Sequence, residues 1–116
     1  MGKMSKNKGK RGEREVAKIL TAAGFSARRG VQYKGTPDSP DVIAENLPIP
    51  CHFEVKRTET LSIYKAYEQA KSDSGADEMP IVCHRRNRQP WLVIFSFGDF
   101  INLLKYIETL EKERKK

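Results

Sequence analysis

Pro37-Asp38-Ser39-Pro40-Asp41-Val42-Ile43-Ala44, then the turn Asn46-Leu47-Pro48-Ile49-Pro50, then Cys51-His52-Phe53-Glu54-Val55-Lys56, is the stretch on which the fold turns. Both apolar runs carry charge where a core strand carries none. Residues two apart on a strand share a face, so His52, Glu54 and Lys56 point one way while Phe53 and Val55 point into a core. Asn46–Pro50 is turn chemistry. A hairpin about it lays Asp41 beside Glu54, with Lys56 one step further along the same face. Two carboxylates at that separation repel, which raises one or both pKa values unless a cation lies between them. Hard oxygen ligands with open positions suit Mg²⁺, with Mn²⁺ able to substitute. A metal beside a lysine suits attack of water on a phosphodiester.

Working outward, the 116 residues make one domain with a single modest core. Lys and Arg number 22 against 15 Asp and Glu, a formal net charge of +7. That balance suits a polyanionic partner, nucleic acid before membrane. The longest apolar run, Trp91-Leu92-Val93-Ile94-Phe95, is strand-length and far short of the roughly 18 residues of a membrane span. The lysine-rich N-terminus has no apolar stretch behind it and does not read as a secretory signal. Two cysteines, Cys51 and Cys83, fit a reducing cytosol of a bacterium or a phage-infected cell.

Residues 1–11 read as a basic arm, with Lys3, Lys6, Lys8, Lys10 and Arg11 placed for phosphate contact. A helix is expected from about Gly12 to Ala23. Its stripe is Val16, Ile19, Leu20 and Ala23, and Gly24 is its C-cap. Glu13 extends that stripe inward by one turn and is a better site candidate than Glu15, although an acid in a first turn also complements the helix dipole. Phe25–Arg29 is a short strand. The polar loop from Gly30 to Ser39 holds Gln32, Tyr33, Lys34 and Gly35, a mix suited to backbone contact with DNA.

A helix from about Ser62 to Ser72 has the stripe Ile63, Ala66, Tyr67 and Ala70, with Gln69 on its shoulder, able to face solvent or the site. Met79–His84 and Trp91–Ser96 form a hairpin whose tip carries Arg85, Arg86 and Arg88, a candidate phosphate clamp. Asp99 is placed to cap a last helix with the stripe Phe100, Leu103, Leu104, Ile107 and Leu110. Residues 12–110 form the domain, and 111–116 a charged tail. The repeated dipeptides Cys51-His52 and Cys83-His84 supply four potential zinc ligands. Neighbours on a strand point to opposite faces, and no C-x₂-C or H-x₃-H spacing accompanies them. The cysteines read as core residues and His52 as a residue lining the cleft.

Asp41, separated by 12 residues from Glu54-Val55-Lys56, resembles the PD-(D/E)xK nuclease superfamily. Gly12-Glu13-Arg14-Glu15 opening a helix, Ala23-Gly24-Phe25 closing it, and Asp41-Val42-Ile43-Ala44 narrow the resemblance to the archaeal- and phage-type Holliday-junction resolvases, over about Gly9 to Leu104. The resemblance implies an α/β fold, a restriction-endonuclease-like mixed central β-sheet flanked by helices. It also implies that Glu13, Asp41 and Glu54 hold Mg²⁺ with the Val55 carbonyl, and that Lys56 orients the attacking water. Asp38 is the alternative to Asp41, but Val42-Ile43-Ala44 anchors Asp41 at a strand.

The chain is thus expected to be a metal-dependent DNA endonuclease that resolves four-way junctions. Its DNA contacts are expected from Lys8, Lys10, Arg11, Arg14, Arg29, Lys34, Arg85, Arg86 and Arg88, with support at the site from His52 and Gln69. A nicking or restriction-type nuclease and a non-catalytic DNA-binding protein are the alternatives. Two symmetric nicks per junction call for a homodimer, and the apolar C-terminal half, Trp91–Phe97 and Phe100–Leu110, is where its interface is expected.

Overall fold

The hairpin at Asp41–Lys56 forms the middle of the sheet. In this computed structural model, residues 2–30 and 40–115 are described, with side chains from residue 8 onward. The elements are α1 (Gly2–Ala22), β1 (Ser26–Arg29), β2 (Val42–Glu45), β3 (Cys51–Arg57), α2 (Ile63–Asp73), β4 (Met79–Arg85), β5 (Leu92–Ile94) and α3 (Phe97–Arg114). The five strands lie in the order β1-β2-β3-β4-β5. Only the β3–β4 pair is parallel, and α2 supplies its crossover. The sheet is therefore mixed, as expected.

Alternation along β3 and β4 divides the core. Phe53, Val55, Ile81 and Cys83 pack with Val16 and Ala17 of α1, whereas Val82 packs with Ala66 and Ala70 of α2. The α1 packing is close at Gly12, where an added Cβ would stand 2.9 Å from the Arg57 Cβ and 3.3 Å from Val55 Cγ1. At the other end, Gly24 sits at φ +103. Gly24 N donates to the Thr21 carbonyl and Phe25 N to the Leu20 carbonyl, which closes the helix with the expected glycine cap.

Four local expectations change. The helix expected from Gly12 begins at Gly2, so the basic residues of the arm belong to its first turns. Glu13 is therefore mid-helix, and complementing a helix end does not explain it. The inward stripe is Val16 and Ala17 with partly buried Leu20, and Ile19 is 52% exposed, because α1 is rotated to bring Gly12 against Val55 and Arg57 of β3. Ser96, not Asp99, caps α3: its hydroxyl accepts from the Asp99 N–H at 3.0 Å, leaving Asp99 as an acid in the first turn.

Candidate active site

The β2–β3 register pairs Val42 with Phe53, and Asp41 N donates to the Phe53 carbonyl at 2.9 Å. Extending that antiparallel register by one residue sets Asp41 opposite Glu54. Both carboxylates are buried, Asp41 at 8% and Glu54 at 5% exposure. The Val55 N–H donates to Asp41 Oδ2 at 2.7 Å, which ties the aspartate to the strand that carries Glu54 and Lys56. Burial pushes the Asp41 pKa up to about 7; the Val55 bond opposes the rise, and the charges of Glu54 and Glu13 add to it. Three acids thus crowd one place, and their oxygen-only donor set fits a hard divalent cation.

Glu13 completes this group from α1. Its Oε1 accepts from Arg29 Nε at 3.0 Å, with 18% of the glutamate side chain exposed. Arg29, expected on DNA, is engaged here in holding Glu13. Glu15, two residues on, does different work. Its Oε1 accepts from Arg85 Nη1 at 2.7 Å and from Trp91 Nε1 at 3.0 Å, and stands 3.7 Å from the buried Arg57 Nε. Arg85 also donates through Nε to the Gln89 carbonyl at 2.6 Å. Its guanidinium thus bonds within the chain to Glu15 and Gln89, while Arg86 and Arg88 are exposed at the same tip. Sequence reasoning missed this cluster. Its signal was Arg57, which continues the inward alternation of Phe53 and Val55 and so requires an acid beneath it.

Lys56 is half-buried and borders two open grooves. One, of about 220 Å³, is lined by Thr58, Thr60, Lys65 and Gln69 among others. The other, of about 340 Å³, includes Lys8, Gly9 and Thr58. Gln69 thus faces the side of the sheet where Lys56 lies, and Lys8 reaches the same neighbourhood from α1. Lys10, Arg11 and Arg14 are exposed on α1. Asp38 and Lys34 lie outside the described residues.

His52 does not line a cleft. It is 1% exposed, and its Nε2 lies 2.9 Å from Glu54 Oε1. Burial alone would lower its pKa, but the Glu54 hydrogen bond and the charges of Glu54, Glu78 and Asp73 outweigh that, and the net shift is upward. His52, Glu54 and Asp73 also bring ligand atoms within 4.8 Å of one another. The paired Cys-His dipeptides diverge as alternation requires. Cys83 is in the α1-side core, its thiol pushed up to about 12 by burial and then by the Asp41 charge. His84 Nε2 instead meets the Thr58 carbonyl at 2.9 Å.

A mixed sheet that sets an aspartate against Glu-x-Lys on the adjoining strand, with a glutamate from the first helix, defines a nuclease of the restriction-endonuclease-like fold. The family model for the archaeal Holliday junction resolvase (Hjc) matches residues 4–98, and the chain belongs to that family of junction-cleaving endonucleases. Among solved structures it is similar to the Hjc Holliday junction resolvase of the archaeal hyperthermophile Archaeoglobus fulgidus, at 29% identity and a TM-score of 0.58, over 76% of this chain and 72% of that one. No curated protein matches by sequence. The family is archaeal, so the expected bacterial or phage setting finds no support. No helix among the described residues is long and apolar enough to cross a membrane.

Proposed function

We propose that this resolvase cuts DNA with Mg²⁺ held by Asp41, Glu54 and Glu13 together with the Val55 carbonyl, and that it acts as a homodimer. The supporting observation is the burial of Asp41 against Glu54, with Asp41 tied to the Val55 N–H and Glu13 close by, a grouping of acids that a divalent cation relieves. Bound there, the ion would stabilise charge on the scissile phosphate and lower the pKa of a bound water. The chain's own residues do the rest. Lys56, two residues from Glu54 on the same face, orients the attacking water and lies against the charge growing on the phosphate oxygens. The water oxygen bonds to phosphorus as one P–O ester bond breaks, leaving a nick. Arg29 holds Glu13 in place, and Lys8, Lys10, Arg11, Arg14, Arg86 and Arg88 hold the flanking phosphates.

The dimer reading rests on α3 and β5. Among the described residues α3 buries none, and Phe100, Ile101, Leu104, Ile107 and Leu110 form a stripe 37–49% exposed. That stripe lies beyond the residues matched by the family model. A second copy presenting the same face would cover it and supply the second active site that two symmetric nicks require. The test is cleavage of a fixed four-way junction beside a matched linear duplex, starting from protein stripped with EDTA. Paired, symmetric nicks in the junction should appear only when Mg²⁺ is restored. Equal cutting of the duplex would leave a simple nickase.

A further inference from the structure

Behind Glu54, on the α2 face of the sheet, lies a histidine that the reaction outlined above does not use. His52 is among the most completely buried side chains in the described structure. Its Nε2 meets Glu54 Oε1 at 2.9 Å, and on the far side of the ring Glu78 Oε1 stands 3.8 Å from Nδ1. Glu78 is itself tied down by the Gly75 N–H at 2.7 Å. Burying such a pair costs more than burying two apolar residues of the same size, so packing gives no reason for it.

We propose that His52 is a positioning residue for the metal site: its Nε2–H donates to one oxygen of Glu54, fixing the carboxylate so that its remaining lone pairs face Asp41 and the cation. The inference rests on Glu54 being a metal ligand. An ionised ligand carboxylate is acceptor-only, so the shared proton belongs to Nε2. The direction of the bond follows from alternation. His52 and Glu54 are two apart on β3, so the ring lies beside the carboxylate on one face and constrains it from the side away from Lys56. α2 covers this face through Ala66 and Ala70, which leaves the ring little room for another rotamer. Partners of this kind typically alter metal affinity by about 10–100-fold when removed.

Two substitutions with the same functional group and different reach test this. The amide of His52→Gln reaches about as far as Nε2, and that of His52→Asn falls one methylene short. Mn²⁺ binding is measured by calorimetry on the full chain, with junction affinity in EDTA and the unfolding midpoint as controls. His52→Gln should bind Mn²⁺ within about threefold of wild type, and His52→Asn about 10–100-fold more weakly, with junction affinity unchanged. Equal binding by both variants and wild type overturns the proposal, as does equal loss in two folded variants, which would make His52 a ligand. Glu54→Gln separates this from failure of the parent reading: if it binds Mn²⁺ normally, Glu54 is not the ligand and the metal assignment itself falls. Should the variants not fold, ¹⁵N correlation spectra of wild type decide, since the chain has only two histidines. A proton on Nε2 of His52 supports the proposal, and a proton on Nδ1 alone contradicts it.

Discussion

The β2–β3 hairpin and the β5–α3 limb break the ordinary rule of burial in opposite directions. In the hairpin Asp41, His52 and Glu54 are buried, although ionisable groups normally stay wet. In the limb Leu92 and Val93 are each 58% exposed and Phe97 is 77% exposed, although such side chains normally hide. Phe95 and Phe97 each meet Phe100 edge-to-face at 6.2 Å, so the limb packs within itself and yet stays uncovered. The hairpin costs stability for the sake of a site, and the limb leaves apolar surface unused in the single chain. On the function proposed here, a cation and phosphate would complete the hairpin and a second copy would complete the limb.

The hairpin half of this comparison is broken most severely by Glu54→Gln or Lys56→Ala. Each should slow junction cleavage by about 10³-fold or more, because several kcal/mol of transition-state stabilisation is lost. Junction affinity measured in EDTA should stay the same or rise for Glu54→Gln, since a negative charge near phosphate is gone. Fast cleavage by either variant would move the chemistry elsewhere.

The limb is tested by Leu104→Asp together with Ile107→Asp. Light scattering at micromolar protein should fall from about two chain masses to one, with dimer affinity weakened by at least about 10²-fold. Paired cuts should become single nicks, and the unfolding midpoint should lose its dependence on protein concentration, because association no longer stabilises the folded chain. A monomeric wild type, binding one chain per junction, would remove the dimer from the account.

Glu13 and Glu15 repeat the comparison within one helix. Glu13→Gln should impair cleavage and spare stability. Glu15→Gln should do the reverse, costing about 1–3 kcal/mol by weakening the Arg85 and Trp91 bonds over buried Arg57. Denaturant melts beside cleavage rates separate the two, and identical phenotypes would contradict the division.

Acidity probes the same buried acids through stability rather than rate. Asp41 stands at about 7 in the folded chain against an ordinary 3.8. The protonated form is favoured by folding, so its stabilising contribution is complete below 3.8 and lost as pH rises through about 7. The melting temperature of metal-free protein should therefore fall across that window, and Asp41→Asn should abolish the fall. Mg²⁺ should oppose it, because the cation binds the ionised carboxylate. A flat metal-free profile would mean that burial and the neighbouring acids do not hold Asp41 protonated.

These effects also mark how far the sequence could be read. The Asp41–Glu54 apposition was legible because strand alternation and a Pro-broken turn leave only one register that buries Phe53 and Val55. Glu13 was legible from helical phase, although the helix start was not: residues 2–11, half of them Lys or Arg, carry no apolar stripe, and continuation of α1 into them leaves no periodic trace. The role of Glu15 was hidden because its partners, Arg85 and Trp91, lie 70 and 76 residues away. His52 was placed on the right face but at the wrong depth, since α2, which covers that face, is joined to it only in three dimensions.

The role of Asp41 as a metal ligand is decided by Asp41→Asn on a four-way junction, with binding and single-turnover cleavage read from the same sample in Mg²⁺. The substitution keeps the shape and the acceptor for the Val55 N–H but removes the charge that would hold the cation. The junction should be bound at wild-type affinity or tighter and left uncut. A variant that cuts the junction at the wild-type rate would contradict that role.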